Sequence, residues 1–457
     1  MHFSFVRFTF AASHLTLIVK IIVPKTSWTH PLAGVATLAL LPLTGLAAES
    51  AAEPATDSSR WSRWFNDPPQ IKAGPFDIHP RLTLSTLFDD NILISSTNPE
   101  SDLIWSVYPA ALILAGDRKS MAEYRLNGQN PLSLSPASFI TQPSDTWPGS
   151  LLAVDYGPRF NWFTYNSKNN SVDQLAALNT LLPFGRAIVG VNQTYNLINT
   201  TVIVAGARTE QTTYNTALTS GFQTGSRSSV EVNLRRSSLS YAAEGLVGNQ
   251  QYSNDNWFHW QTSDLLNIGA GVTLGYVNVP AQGLRPQTSQ TYQQVLGRAI
   301  YRVAERVDVD GAVGVEFRQY STGASGTVEP VFSFTGSYRP GIATSFSLNA
   351  HRWDQPSTGG GDNYLQTGFN LGASQQLFDR LNVSVSGGYD NYHYYSYQRV
   401  SLRQNPDSNY LSAGAGVSIR FNPCLGANAF YRYSQQTGNA NNGFTDNQVG
   451  LQVTYSF

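Results

Sequence analysis

A single cysteine, Cys424, stands in a chain of 457 residues, so no disulfide can form within it. Charge is scarce as well: 13% of residues are Asp, Glu, Lys or Arg, where about 25% is usual. The formal net charge of -1 leaves no basic surplus for a nucleic-acid partner. No Cys and His spacing suits a metal, and no G-x-S-x-G stands between a strand and a helix. Beyond residue 50 the histidines are His79, His259, His351 and His393. A barrel hydrolase would need one of them beside a Ser or Asp at a rim, and His351, just before Trp353 and Asp354, comes nearest. These absences predict no enzyme, no cofactor and no resident metal. Past residue 47 there is also no apolar run of the ~20 residues that a spanning helix needs.

One apolar run does occur, Pro31 to Leu46, preceded by Lys20 and Lys25. Gly45, Leu46 and Ala47 supply the small residues of a cleavage site, so residues 1–47 read as a signal peptide. An uncleaved anchor helix is the alternative, and the run is short for it. The stretch before it is long for a signal, which fits a translation start further on, such as at Val23. Residues 48–75 read as a periplasmic linker rich in Ala, Pro, Ser and Asp.

What the chain does have is alternation. Its last twelve residues, D-N-Q-V-G-L-Q-V-T-Y-S-F, put Val449, Leu451, Val453, Tyr455 and Phe457 on one face. Gln448, Gly450, Gln452, Thr454 and Ser456 take the other, the period of a strand. The pattern recurs. Strands are expected at 76–88, 102–114, 150–163, 172–182, 187–199, 208–222, 229–241, 255–262 and 267–279. The second half repeats at 289–303, 307–320, 327–339, 342–353, 363–377, 381–395, 408–421, 425–435 and 446–457. The weakest are 255–262 and 289–303. Short turns such as Pro183–Arg186 alternate with longer loops such as 396–407. A propeller repeat of similar period would need four strands in each unit.

The prediction is an all-β fold: a single transmembrane antiparallel up-and-down β-barrel of about 18 strands. Short turns would be periplasmic and longer loops extracellular. The barrel spans 76–457, with 115–149 as a periplasmic or lumenal insertion. A strand-like piece at Met121 to Leu126 is left out of the count, because nineteen strands would reverse every loop before it and depart from the even number usual in bacterial single-chain barrels. Apolar side chains then face lipid, so Val313→Arg is expected to cost about 2–4 kcal/mol at mid-membrane depth. Gly314→Arg, one residue on, is expected to act on the lumen instead. Trp257, Trp260, Trp353, Tyr389 and Tyr395 suit interfacial girdles.

The other face predicts a polar lumen lined by Asp77, Arg81, Asp155, Arg159, Glu231, Arg235, Asp308, Asp310, Glu316, Arg318, Glu329, Arg339, Asp390, Arg420 and Arg432. Charges of both signs can filter solutes, or simply pair and brace the wall. Asp89, Asp90 and Asn91 form an oxygen cluster in the first outer loop, without the spacing of a calcium loop.

Several stretches carry a family resemblance. They are F-D-D-N-I-L (88–93), S-D-L-I-W-S-V-Y-P-A (101–110), L-L-A-V-D-Y-G-P-R-F (151–160), R-T-E-Q-T-T-Y-N-T-A-L (208–218), G-V-E-F-R-Q-Y (314–320) and P-V-F-S-F-T-G-S-Y-R-P (330–340). The chain resembles the outer-membrane β-barrel porins of the second type, over most of 76–457. Val453, Tyr455 and Phe457 resemble the C-terminal signal read by the barrel assembly machinery. The resemblance implies the bacterial outer membrane, with lipid and lipopolysaccharide as neighbours. A large alternating barrel with no energy-coupling or catalytic motif points to a passive channel for polar solutes; the resemblance alone implies the alternative, a part in exopolysaccharide export, since some relatives accompany such gene clusters. It supplies no active-site residues. A structural barrel with a lumen blocked by 115–149 is the remaining alternative.

Overall fold

The computed structural model describes residues 5–9, 16–20, 71–127, 149–202, 207–281, 287–303, 306–322, 325–356, 362–378, 380–396, 407–438 and 443–457. The apolar run 31–46, most of the predicted linker, and 128–148 of the insertion lie outside these. Met1–Ala33 is a unit by itself, in which Phe5–Thr9 pairs antiparallel with Thr16–Lys20.

The second unit holds eighteen long strands. They are β1 (Phe76–Asp89), β2 (Asp102–Gly116), β3 (Leu151–Phe163), β4 (Ser171–Phe184), β5 (Ala187–Val202), β6 (Ala207–Gln223), β7 (Ser228–Tyr241), β8 (Asn249–Gln261) and β9 (Leu266–Val279). The rest are β10 (Thr288–Val303), β11 (Val307–Tyr320), β12 (Thr327–Tyr338), β13 (Thr344–Pro356), β14 (Asp362–Leu377), β15 (Leu381–Ser396), β16 (Asp407–Arg420), β17 (Leu425–Thr437) and β18 (Phe444–Ser456). Each pairs antiparallel with the next. β18 pairs with β1, from Gln448 opposite Asp89 to Ser456 opposite Arg81, and the sheet closes. Closure matters because lipid offers no partner to an unpaired edge.

The apolar face points outward. Val313 is 65% exposed and lies in register with Gly297 on β10 and Phe332 on β12, which share its face. Glu316 and Arg318, on the opposite face of the same strand, are each 2% exposed. A soluble sheet would show the reverse. The chain enters β1 and leaves β18 at one end of the barrel, the turn end. Turns there include Gly185–Arg186, where Gly185 takes φ +60°. Connections at the opposite end, the loop end, include 90–101 and 242–248.

Two expectations change. β8 starts at Asn249, ahead of the predicted strand 255–262. Its first residues carry no apolar alternation; pairing of Gln251 with Ser237 on β7 and Val277 on β9 makes them a strand. Met121 to Leu126 is not strand-like but belongs to a helix, α1 (Arg118–Asn127). Asp117 caps it: its Oδ2 accepts from the Lys119 and Ser120 amides at 3.0 and 3.2 Å. The helix spacing of Met121 and Tyr124 puts both against buried Leu112, Leu114, Leu151, Leu181 and Ile188. These belong to the inner wall at the turn end, so part of the 115–149 insertion lies against the lumenal face. Asn179 on β4 donates to the Tyr124 hydroxyl at 3.1 Å. Burial holds that phenol above its ordinary pKa, so it stays neutral.

Candidate functional site: the inner wall and its narrowed loop end

Register across the sheet brings most of the predicted inward charges to partners of opposite sign or to histidines, on neighbouring strands or further along the wall. Arg81 on β1 meets Asp155 on β3 at 2.8 Å. The reach is possible because Ala110 stands opposite Arg81 on the strand between. Arg159 meets Asp173 at 2.6 Å, and Arg235 meets Asp255 at 3.4 Å. Arg298 meets Asp310 at 2.5 Å and comes within 3.9 Å of Glu231. Asp308 pairs with Arg302 at 3.4 Å, and Glu329 with Arg352 at 3.3 Å. Asp390 lies 3.0 Å from His351, and Glu231 3.2 Å from His259. Each of these histidines thus sits against a carboxylate in the wall. Asp77 lies 3.9 Å from Lys72, a loose pair. Arg432 lies over the Phe430 ring, and Arg420 ends β16. Arg339 is not in the wall: it falls in the turn after β12.

Several charged members of these pairs are not among the residues that alternation assigns to the lumen. Asp173, Asp255, Arg298, Arg302 and Asp354 all complete ion pairs in the interior. Arg298 and Arg302 lie in the stretch with the weakest alternation, and Asp354 lies just past the predicted strand 342–353. Trp257 and Trp353 are corrections of the opposite kind. Neither joins a girdle. Trp257 is 9% exposed and stacks on His259; Trp353 stacks on His351 at 4.1 Å. Tyr395 is also drawn away from lipid, by a bond to Asp354. Trp260 and Tyr389 are exposed on the outer face.

The loop end is narrowed by two hairpins that leave the wall. The β12–β13 register ends at Phe332 opposite Arg352. β12 nevertheless continues to Thr327 beside β11, and β13 to Pro356 beside β14. Beyond that split Asp354, Asn363 and Tyr395 have the parity of the lipid face, yet they bond inward-facing side chains. Asp354 Oδ2 lies 3.2 Å from Arg318 Nε, and Arg318 Nη2 donates to the Asp354 carbonyl at 3.1 Å. Asn363 exchanges hydrogen bonds with Gln290 at 2.8 and 3.0 Å. The Tyr395 hydroxyl bonds Asp354 and also bonds the Tyr320 hydroxyl at 3.1 Å. The outer face of the β13–β14 hairpin therefore packs over the inner face of β10 and β11. A carboxylate left facing lipid would be expensive, and Arg318 offers it a partner inside.

The β5–β6 hairpin does the same on the other side. The β4–β5 register ends at Gln174 opposite Leu197, while β5 and β6 stay paired to Val202 and Ala207. Arg208, of lipid-face parity, lies over the inward Phe163 ring at 4.9 Å and donates to the Asn199 carbonyl at 2.6 Å. Asp173 accepts from the Asn199 amide at 2.9 Å.

The oxygen cluster of the first loop gains a distant member. Asp89 and Asp90 come together with Asp446 of β18, with ligand atoms within 4.8 Å of one another. Amides answer them: Asn447 donates to Asp90 from backbone and side chain at 2.7 Å, and Gln448 to Asp89 and Asp446 at 3.1 and 3.0 Å. The cluster braces the closure of β1 on β18.

A closed sheet with an apolar perimeter and a charged interior defines the class. The chain is a transmembrane β-barrel, and such a barrel resides in the bacterial outer membrane. No protein-family profile matches the chain, and no curated protein does. Among solved structures it is similar to OccK2 (OpdF) of Pseudomonas aeruginosa, seen in complex with glucuronate. That match has 10% identity and a TM-score of 0.42, covering 83% of this chain and 98% of that one. The outer membrane protein OpdK of the same organism matches at 9% identity and a TM-score of 0.41, covering 83% and 99%. The siderophore receptor PirA, also of that organism, matches at 7% and 0.42, covering 83% and 80%.

Proposed function

We propose that the protein is a passive channel for polar solutes, with its turn end in the periplasm and its loop end outside. The observation that carries this is the charged inner wall. A barrel of 16–18 strands leaves a bore wide enough for water. Paired charges of both signs then set a transverse field without binding any solute tightly. The inward β5–β6 and β13–β14 hairpins give that bore a narrow, polar section. On this reading residues 1–47 are a cleaved signal, and Val453, Tyr455 and Phe457 are the signal for barrel assembly. The stretches that resemble second-type porins support that finer assignment, and exopolysaccharide export rests on that resemblance alone.

Planar-bilayer recording of the purified mature chain tests the proposal. Stepwise conductance is the expected result. A second reading, a structural barrel with an obstructed lumen, draws on α1 lying against the inner wall at the turn end. Its mark would be silence in the intact chain and conductance once 117–149 is replaced by a short turn. Silence in both would defeat the channel.

A further inference from the structure

The outer wall carries a feature that a lipid-facing surface does not need. Near the turn end of β11 to β15 lies a groove of about 620 Å³, within the ~300–1,000 Å³ range of small-ligand clefts. Two adjacent rows of outward residues build it. One row runs Val309, Gly336, Leu348, Leu371, Gly387, each opposite the next. Its glycines leave the surface low. The second row contains Tyr338 and Phe346, whose rings stack at 6.3 Å and raise a wall along the floor. The result is a concave apolar channel in what is otherwise a convex sheet.

Two arginines lie in the turns beneath the groove. Arg306 immediately precedes Val307, and Arg339 immediately follows Tyr338. The Arg339 amide donates to the Arg306 carbonyl at 2.7 Å, which sets the two residues side by side. Two turn residues at the same end are apolar and bare: Ile342 is 78% exposed and Phe378 is 88% exposed. Bare apolar side chains beside arginines suit an interface where acyl chains give way to phosphates.

We propose that this groove is a binding site for one glycerophospholipid of the inner leaflet. Its acyl chain lies on the Gly336–Gly387 floor, and its phosphate is held by Arg306 and Arg339. Guanidinium groups match phosphate oxygens with two parallel donors, so charge complementarity chooses the occupant. The site rests on the turn end facing the periplasm, as in the proposed function, but not on conduction.

Native mass spectrometry of the delipidated protein, with dipalmitoylphosphatidylglycerol or lipopolysaccharide added back, reads the site. Two variants bear on it. Gly387→Leu fills the floor without a clash, since a Cβ there would meet only the Ser412 carbonyl, at 3.7 Å. Arg306→Gln with Arg339→Gln removes the phosphate partners. The expected result is one phospholipid retained by the parent chain, with at least tenfold weaker retention in both variants. Heat-modifiable migration on a gel checks that each variant is folded. Three results would overturn the site: no phospholipid on the parent, equal retention in the variants, or a second copy of the chain covering the groove. Preference for lipopolysaccharide would overturn it too, by reversing the assigned orientation. Conductance recorded on the same samples keeps the channel reading separate, because lipid retention does not depend on it.

Discussion

Val313 and Gly314 are neighbours on β11 and face opposite media. Val313→Arg places a charge on a side chain that is 65% exposed to lipid, and should cost about 2–4 kcal/mol in urea unfolding from liposomes. Gly314→Arg is not a fair lumenal control, because a Cβ on Gly314 would sit 1.9 Å from the Val295 carbonyl oxygen. Ser386 serves better. It is exposed on the inner face of β15, flanked in register by Gly372 and Gly414. Ser386→Arg should stay within about 0.5 kcal/mol of the parent and alter ion selectivity instead. Equal losses for Val313→Arg and Ser386→Arg would mean that the faces are assigned wrongly. Alternation announced both faces. The crowding at Gly314 did not show there, since it depends on which residue of β10 stands beside it.

At the scale of elements, the β13–β14 hairpin and α1 are the parts that leave the wall. Asp354 ties the hairpin to Arg318, with both side chains buried. Removing one partner of a buried pair costs about 3–5 kcal/mol. Asp354→Ala should fall at the low end, about 3 kcal/mol, because Arg318 keeps Glu316 at 2.7 Å. Freed from that tie, the hairpin should swing toward the wall and raise single-channel conductance. Unchanged conductance in a folded variant would count against the narrowing. Tyr124 holds α1 to the apolar inner patch, and Tyr124→Ala should cost about 3 kcal/mol. Thermal unfolding in detergent measures that loss. Both elements look ordinary in the sequence. Asp354 lies just past the predicted strand 342–353, where alternation assigns no face, and the Met121 to Leu126 stretch mixes polar and apolar residues as a strand does. The Asp117 cap is the one local sign of a helix, and it is brief.

At the scale of the whole molecule, the barrel closes between its first and last strands. The seam holds a hydroxyl pair, Thr83 with Thr454 at 3.0 Å, and ends where the Phe457 amide donates to the Pro80 carbonyl at 2.9 Å. The Tyr455 and Phe457 rings meet edge to face at 4.8 Å. Deleting Phe457 removes that last bond and half of the aromatic pair. The folded, heat-modifiable form in outer membranes should fall several-fold, while refolding from urea into detergent is spared. Equal membrane levels would separate the C-terminal residues from assembly.

The sequence by itself determined that this chain is a barrel, where the wall lies and how many strands complete it. The reason is that period-two alternation is a local property, repeated often enough to survive weak stretches. Only the tertiary structure decided which charges meet, where hairpins quit the wall and what shape the lipid-facing surface takes. Those outcomes depend on register across strands and on side chains hundreds of residues apart, such as Asp89 beside Asp446, and no local pattern records them.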